Sequence, residues 1–122
     1  MAISAEFLEF LKEQMAGFGP ISARRMFGGA GLYCDGLMFA LVVDDQLYLK
    51  ADGASRTGFE AEGLEAFSYE TSGGRNTIMS FMRAPERCLD DTEEMAAWCR
   101  LAYDAALRAN AEKPKKKARA RS

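Results

Sequence analysis

No histidine occurs in this 122-residue chain, so the side chains able to do chemistry reduce to acids, thiols and basic groups around a cluster of glycines. Without imidazole, Ser-His-Asp and Cys-His nucleophile systems and histidine general bases are excluded. Carboxylate pairs remain, as Asp44-Asp45 and Asp90-Asp91. Each doublet also has an architectural explanation. Asp44-Asp45 falls between Val43 and Leu47, where a hairpin turn is expected, and Asp90-Asp91 precedes an amphipathic stretch, where a helix cap is expected. The cysteines are Cys34, Cys88 and Cys99, with no C-x-x-C pair. Three thiolates leave a zinc site one ligand short, so the expectation is reduced, buried thiols and neither metal nor cofactor.

Arg24-Arg25-Met26-Phe27-Gly28-Gly29-Ala30-Gly31-Leu32-Tyr33-Cys34-Asp35-Gly36 concentrates glycine in a way that invites a phosphate reading. A P-loop needs G-x-x-x-x-G-K-[ST], and neither that spacing nor the Lys-Ser/Thr is present. A dinucleotide fingerprint needs G-x-G-x-x-G opening a helix. Gly29-Ala30-Gly31 supplies its first half, but the third glycine would fall at Cys34 and strand-like sequence follows. The alternative is structural. Asp35-Gly36 is a two-residue hairpin signal, because a type I′ turn needs φ > 0 at both central positions. Gly28, Gly29 and Gly31 then mark a bend or bulge near the start of a strand.

The same residues carry a resemblance. Arg24-Arg25-Met26-Phe27-Gly28-Gly29-x-Gly31-Leu32-Tyr33-x-Asp35-Gly36-x-Met38-Phe39-Ala40-Leu41 resembles the signature of the TfoX N-terminal domain family, named for a regulator of bacterial competence genes. Leu47-Tyr48-Leu49-Lys50, Phe67-Ser68-Tyr69, Met79-Ser80-Phe81, Ala84-Pro85-Glu86 and Trp98 in a terminal helix agree with it. The resemblance covers nearly the whole chain up to about Ala109.

The elements that must position these residues follow from periodicity and punctuation. Ser4 is a good N-cap for a first helix, with Phe7, Leu8, Leu11, Met15 and Phe18 on one face and Gly17, Gly19 and Pro20 ending it. A three-stranded meander is expected next: about Ala23–Cys34 with its glycine distortion, Leu37–Val43, and Gln46–Lys50. The second of these is apolar on both faces, which suggests that both sides are covered, by the helices or by a second subunit. Asp52 to Gly63 reads as a short helix capped by Asp52 or Ser55 and anchored by Phe59. Strands near Ala66–Thr71 and Asn76–Met82 are joined by Ser72-Gly73-Gly74-Arg75. Asp91-Thr92-Glu93-Glu94 resembles a capping box for a last helix with a Met95, Trp98, Cys99, Ala102, Ala106 stripe, running out near Asn110. The order α-β-β-β-α-β-β-α makes an α+β fold, an antiparallel sheet with helices packed on it. The resemblance implies the same two-layer arrangement, similar to secretion-chaperone-like domains, a type that often pairs as homodimers.

Charge divides the chain into a domain over 1–110 and a basic tail over 111–122. All 18 acidic residues precede position 113, with 10 of the 16 basic ones, so 1–112 carries a formal −8 and the last ten residues +6. The tail has no large apolar residue and is expected to be disordered. Lys113, Lys115, Lys116, Lys117, Arg119 and Arg121 could contact phosphates through counterion release, without aromatics for base stacking. Arg24 and Arg25 point to opposite faces of their strand. An ion pair with the acidic body is the expectation, and contact with a partner the alternative. No apolar run is long enough to span a bilayer, and the N-terminus lacks a basic n-region, so a cytoplasmic protein is expected.

The resemblance implies a non-enzymatic regulatory or adaptor domain, acting through protein contacts with transcription machinery or an activator. Full-length regulators of the family carry a second, C-terminal domain, where this chain has its basic tail. A stand-alone domain with its own partner is therefore also in view. Two other classes stay open. One is a nucleic-acid accessory protein working through the tail. The other is a small-molecule binder or enzyme using the sheet face and the aspartate doublets.

Overall fold

A computed structural model describes residues 4–26 and 28–121, of which 112–121 as backbone only. Helix α1, Ala5–Gln14, begins where its cap predicts. The Ser4 hydroxyl accepts from the Phe7 N–H at 3.0 Å, and Glu6 lies in the positive first turn. Leu8 and Leu11 are buried, with Met15 just beyond the helix end.

Six strands form one antiparallel sheet: β1 Ser22–Met26, β2 Gly29–Cys34, β3 Leu37–Val43, β4 Gln46–Lys50, β5 Ala66–Thr71 and β6 Gly74–Arg83, in spatial order β1-β2-β3-β4-β6-β5. The β2–β3 turn has φ of 52° at Asp35 and 76° at Gly36, and the β3–β4 turn has 54° at Asp44 and 57° at Asp45. Positive φ at both central residues is the geometry whose twist matches a hairpin, and aspartate tolerates it better than most side chains.

One expectation is corrected. Ala23–Cys34 is not a single distorted strand but two strands folded back on each other. Met26 pairs with Gly29, and Gly28 sits in the turn between them with φ of 78°. A left-handed residue next to the strand end reverses the chain instead of bending it. Phe27 lies outside the described residues. The element order is therefore α-β-β-β-β-α-β-β-α, still an α+β fold. The β5–β6 turn is also tighter than expected, since Thr71 pairs with Gly74 across only Ser72 and Gly73.

Between the hairpins lies α2, Arg56–Glu60, anchored by the buried Phe59. Its entry turn is held by Asp52, whose Oδ1 accepts from the N–H groups of Ala54 and Ser55, both at 3.1 Å. After Pro85, a 3-10 turn at Glu86–Leu89 leads to α3, Thr92–Arg121. Asp91 caps α3, its Oδ1 accepting from Glu93 N–H at 2.9 Å and Glu94 N–H at 3.3 Å. The expected return bond from Glu94 is not made. Its Oε1 accepts instead from Arg87 Nε at 2.9 Å and Trp98 Nε1 at 3.2 Å, while Arg87 grips Glu62 with two more bonds of 2.7 and 2.8 Å. The helix continues past Asn110, where the sequence suggested that it would run out, and passes through Pro114 to Arg121; the alanines, lysines and arginines there favour helix and Pro114 opposes it.

The core lies between the helices and one face of the sheet. Leu11, Met95, Cys99 and Ala102 meet Leu32, Val42 and Leu49, all fully buried. In β4 the alternation is clean, with Leu47 and Leu49 buried and Gln46, Tyr48 and Lys50 only half-buried. Among the described residues no helix belongs to the opposite face, where Tyr48 and Leu41 point. The α1–3-10 junction is fixed by Gln14, whose Nε2 donates to the carbonyls of Cys88 at 3.2 Å and Leu89 at 3.1 Å.

Candidate functional site

The helix-free face is assembled by strand register. Met26, Gly29, Val43 and Gln46 form one row across β1 to β4, and Arg24, Gly31, Leu41 and Tyr48 the next. Phe67 and Tyr69 of β5 close one side. The Tyr48 and Phe67 rings meet edge-on with centroids 5.0 Å apart, and Phe67 stacks on Tyr69 at 5.9 Å. Met26, Gly29, Leu41, Val43, Phe67 and Tyr69 thereby line a groove of about 430 Å³. Tyr48 also borders a polar cleft of about 460 Å³ with Glu65, Ser68, Arg83 and Glu86.

The glycines of the motif make this face possible. At Gly29 a Cβ would stand 2.5 Å from the Val42 carbonyl oxygen, so β3 approaches β2 where no side chain fits. At Gly31 the space of a Cβ is taken by Met38 Sδ at 2.8 Å and Met26 Cε at 3.0 Å. The cluster opens onto a strand and not onto a helix N-terminus, so it offers no backbone cradle to a phosphate. Leu32 is buried in the core, and Asp35-Gly36 forms the next turn.

The other sequence candidates are dispersed. Asp44-Asp45 forms a turn, and Asp45 Oδ1 accepts from the Ser4 N–H at 3.1 Å. Asp91 caps α3. Among the described residues no group of three or more acids, thiols or imidazoles is arranged to hold a metal ion. All three cysteines are free and buried. Burial pushes the thiol of Cys88 up to about 11 and that of Cys99 to about 12, and it also raises Cys34, with the Asp35 charge adding to the effect. None is therefore a thiolate nucleophile at neutral pH.

Arg24 and Arg25 are exposed, and among the described residues no ion pair ties either to the acidic body, contrary to expectation. They sit on the edge strand, and Arg24 instead lies over the Tyr33 ring, its Cζ 5.8 Å from the centroid. Lys113, Lys115, Lys116, Lys117, Arg119 and Arg121 have side chains outside the described ones. No helix among the described residues is long and apolar enough to cross a membrane. Phe67, Tyr69, Leu41 and Val43 were not singled out as site residues. The available signal was the two-sided apolar character of β3.

Comparison with known proteins places residues 13–106 on the family profile of the TfoX N-terminal domain. The chain is 36% identical over 67 residues to the DNA transformation protein TfoX1 of Aliivibrio fischeri, an alignment covering 55% of this chain and 30% of that protein. It thus spans about a third of that relative's length. Since the family profile extends from α1 to α3 and takes in the whole sheet, the chain belongs to the TfoX N-terminal domain family.

Proposed function

We propose that this protein is a non-enzymatic regulatory adaptor, acting in the cytoplasm through protein contacts in the control of DNA uptake. The observation that carries the reading is the likeness to a DNA transformation protein within the shared N-terminal domain. Supporting it, the helix–sheet interface is filled by core side chains, while the opposite sheet face presents an apolar groove without converging titratable groups. That is the composition of a contact surface more than of a reaction site. The formal −8 over residues 1–112 agrees with contact to protein, since an acidic surface repels DNA.

The test is an affinity pull-down from nuclease-treated native extract, with full-length and 1–112 forms side by side. A transcription-machinery or activator protein retained by both forms is the expected result. Loss of every partner on nuclease treatment or truncation would replace the adaptor reading with a tail-driven nucleic-acid one, in which residues 113–122 also carry the whole salt dependence of DNA binding.

A further inference from the structure

We propose that the groove on the helix-free sheet face receives an acidic amphipathic helix of a partner protein, with its apolar residues in the groove and a carboxylate on Arg24. The inference rests on the adaptor reading and names the occupant of the face that reading leaves open. The backbone beneath the groove is already committed. Gly29 lies between Met26 and Val43 in the sheet, and Gly31 between Arg24 and Leu41. An extended peptide laid there would bury N–H and C=O groups without partners. A helix satisfies its own backbone and presents apolar anchors at i, i+3 or i+4, and i+7.

Charge selects the kind of helix. Across β1 to β4 the two register rows that floor the groove carry one charged side chain, Arg24, and Arg83 follows Tyr48 in the second row on β6. Arg24 is exposed and, like Arg25, Arg56 and Arg83, has no ion pair among the described residues, whereas Arg75, Arg87, Arg100 and Arg108 are each held by an aspartate or glutamate. A second copy of this chain, packed face to face, would bring no acid from those rows to meet it. The floor is also adaptable. Met26 and Met38 lie over Gly31, and unbranched thioethers re-pack around a guest at little cost. Tyr69 stands 45% exposed at the rim, ready to be covered.

The test uses the full chain and labelled peptides of about 18 residues, long enough to hold a helix. One carries leucine and phenylalanine at i, i+3, i+4 and i+7, two glutamates flanking them, and alanine and glutamine elsewhere so that the helix holds. A second has lysine for every glutamate. Fluorescence anisotropy is expected to show saturable binding of the glutamate peptide and roughly tenfold weaker binding of the lysine peptide. Arg24→Glu is expected to cost the glutamate peptide roughly tenfold, and Arg25→Glu, the same charge change on the opposite face, less than about twofold. Tyr69→Ser, at an exposed rim position, is expected to weaken binding several-fold with an unchanged circular dichroism spectrum. Equal binding of both peptides, equal effects of the two arginine changes, or absence of binding would overturn the proposal. So would a dimer in sedimentation that Tyr69→Ser dissolves, since a second copy would then be the occupant. The two levels separate in the pull-down. Partners kept by the Arg24→Glu/Tyr69→Ser double variant would sink the groove proposal alone, and absence of partners with the unmodified chain would sink the adaptor reading as well.

Discussion

An alanine at position 29 would place its Cβ 2.5 Å from the Val42 carbonyl oxygen and 3.1 Å from Val43 Cγ2. The first obstacle is backbone, so β2 and β3 must move apart in the middle of the sheet. Overpacking of this kind costs about 1–3 kcal/mol, and a backbone obstacle argues for the upper end. Gly28 faces a different penalty. Its φ of 78° suits glycine, and an L side chain there costs about 1–2 kcal/mol, part of which is offset by the lower entropy of the unfolded chain. At Gly31 a Cβ meets Met38 Sδ, Met26 Cε and Tyr33 Cε1, the first two being ends of flexible side chains. Their adjustment is matched by the roughly 0.5–1 kcal/mol gained by removing glycine from a strand. The expected order of damage for alanine is therefore Gly29, then Gly28, then Gly31 near neutral. Thermal unfolding followed by Trp98 fluorescence and circular dichroism reads it, at about 4 °C per kcal/mol for a domain of this size. Gly28→Asn should recover part of the Gly28→Ala loss, because asparagine tolerates the left-handed region. Wild-type stability for Gly29→Ala, or Gly31→Ala as the most damaging of the three, would refute the packing argument.

Asp52 is the titratable anchor between the entry to α2 and α3. Hydrogen bonding from Arg108, whose Nε lies 2.6 Å from Oδ2, holds its carboxyl down to about 2. A depressed carboxyl stabilises the fold above its ordinary value of 3.8, and that contribution is lost as pH falls through about 2. With 30% and 49% of the two side chains still exposed, screening limits the pair to about 1 kcal/mol, which Asp52→Asn should remove together with the pH dependence in that window. Trp98 is half-buried against Phe59, ring centroids 5.0 Å apart, so Trp98→Ala should cost about 2–3 kcal/mol in urea unfolding, less than the 3–5 typical of a fully enclosed tryptophan. Native Cys34, Cys88 and Cys99 should resist a disulfide reagent at pH 8 and all react once the chain is unfolded, and fast labelling of any one in the native state would contradict its burial.

Local signals carried far in this chain. Ser4, Asp35-Gly36, Phe59 and Asp91 each specify a cap, a turn or an anchor through their own backbone preferences, and the structure uses them so. The strands Leu37–Val43 and Gln46–Lys50 were legible because an aspartate turn separates two apolar runs. The β1–β2 hairpin was not, because its turn is hidden among glycines whose roles differ. Gly28 reverses the chain, while Gly29 and Gly31 admit neighbours, and composition alone does not tell a left-handed residue from a close approach. Arg87 was missed for another reason. Its partners Glu62 and Glu94 come from different elements, so nothing in the local sequence announces the pairing. The groove is likewise non-local. Phe67 and Tyr69 of β5 line it together with Leu41 and Val43 of β3, although β4 and β6 lie between those strands in the sheet order.

The acids show why a surface, and not a reacting centre, is the feature this architecture leaves available. An aspartate doublet suggests a pair of carboxyls driven apart in pKa by a shared site. Here Asp44-Asp45 supplies two consecutive left-handed residues, and Asp45 additionally accepts from the N–H of Ser4. Asp91 gives one oxygen to two amides at the head of α3, and Asp52 gives one to a turn and both to Arg108. Glu62 and Glu94 are taken by Arg87. Arg108 holds Asp52 and Arg87 holds Glu62 below their ordinary carboxylate range, the opposite of what a general acid at neutral pH requires. Among the described residues no acid holds Arg24, Arg25, Arg56 or Arg83, and of these Arg24 stands in the rows of β1 to β4 that floor the groove. On a body of formal −8, an exposed guanidinium at the end of a row of glycine, leucine and tyrosine is the place where an acidic ligand meets attraction first and apolar surface next. Reversing that one charge should therefore change association rate and its salt dependence more than dissociation, whereas trimming Tyr69 should act mainly on dissociation. A peptide whose on-rate ignores both Arg24 and ionic strength would not be binding by this route.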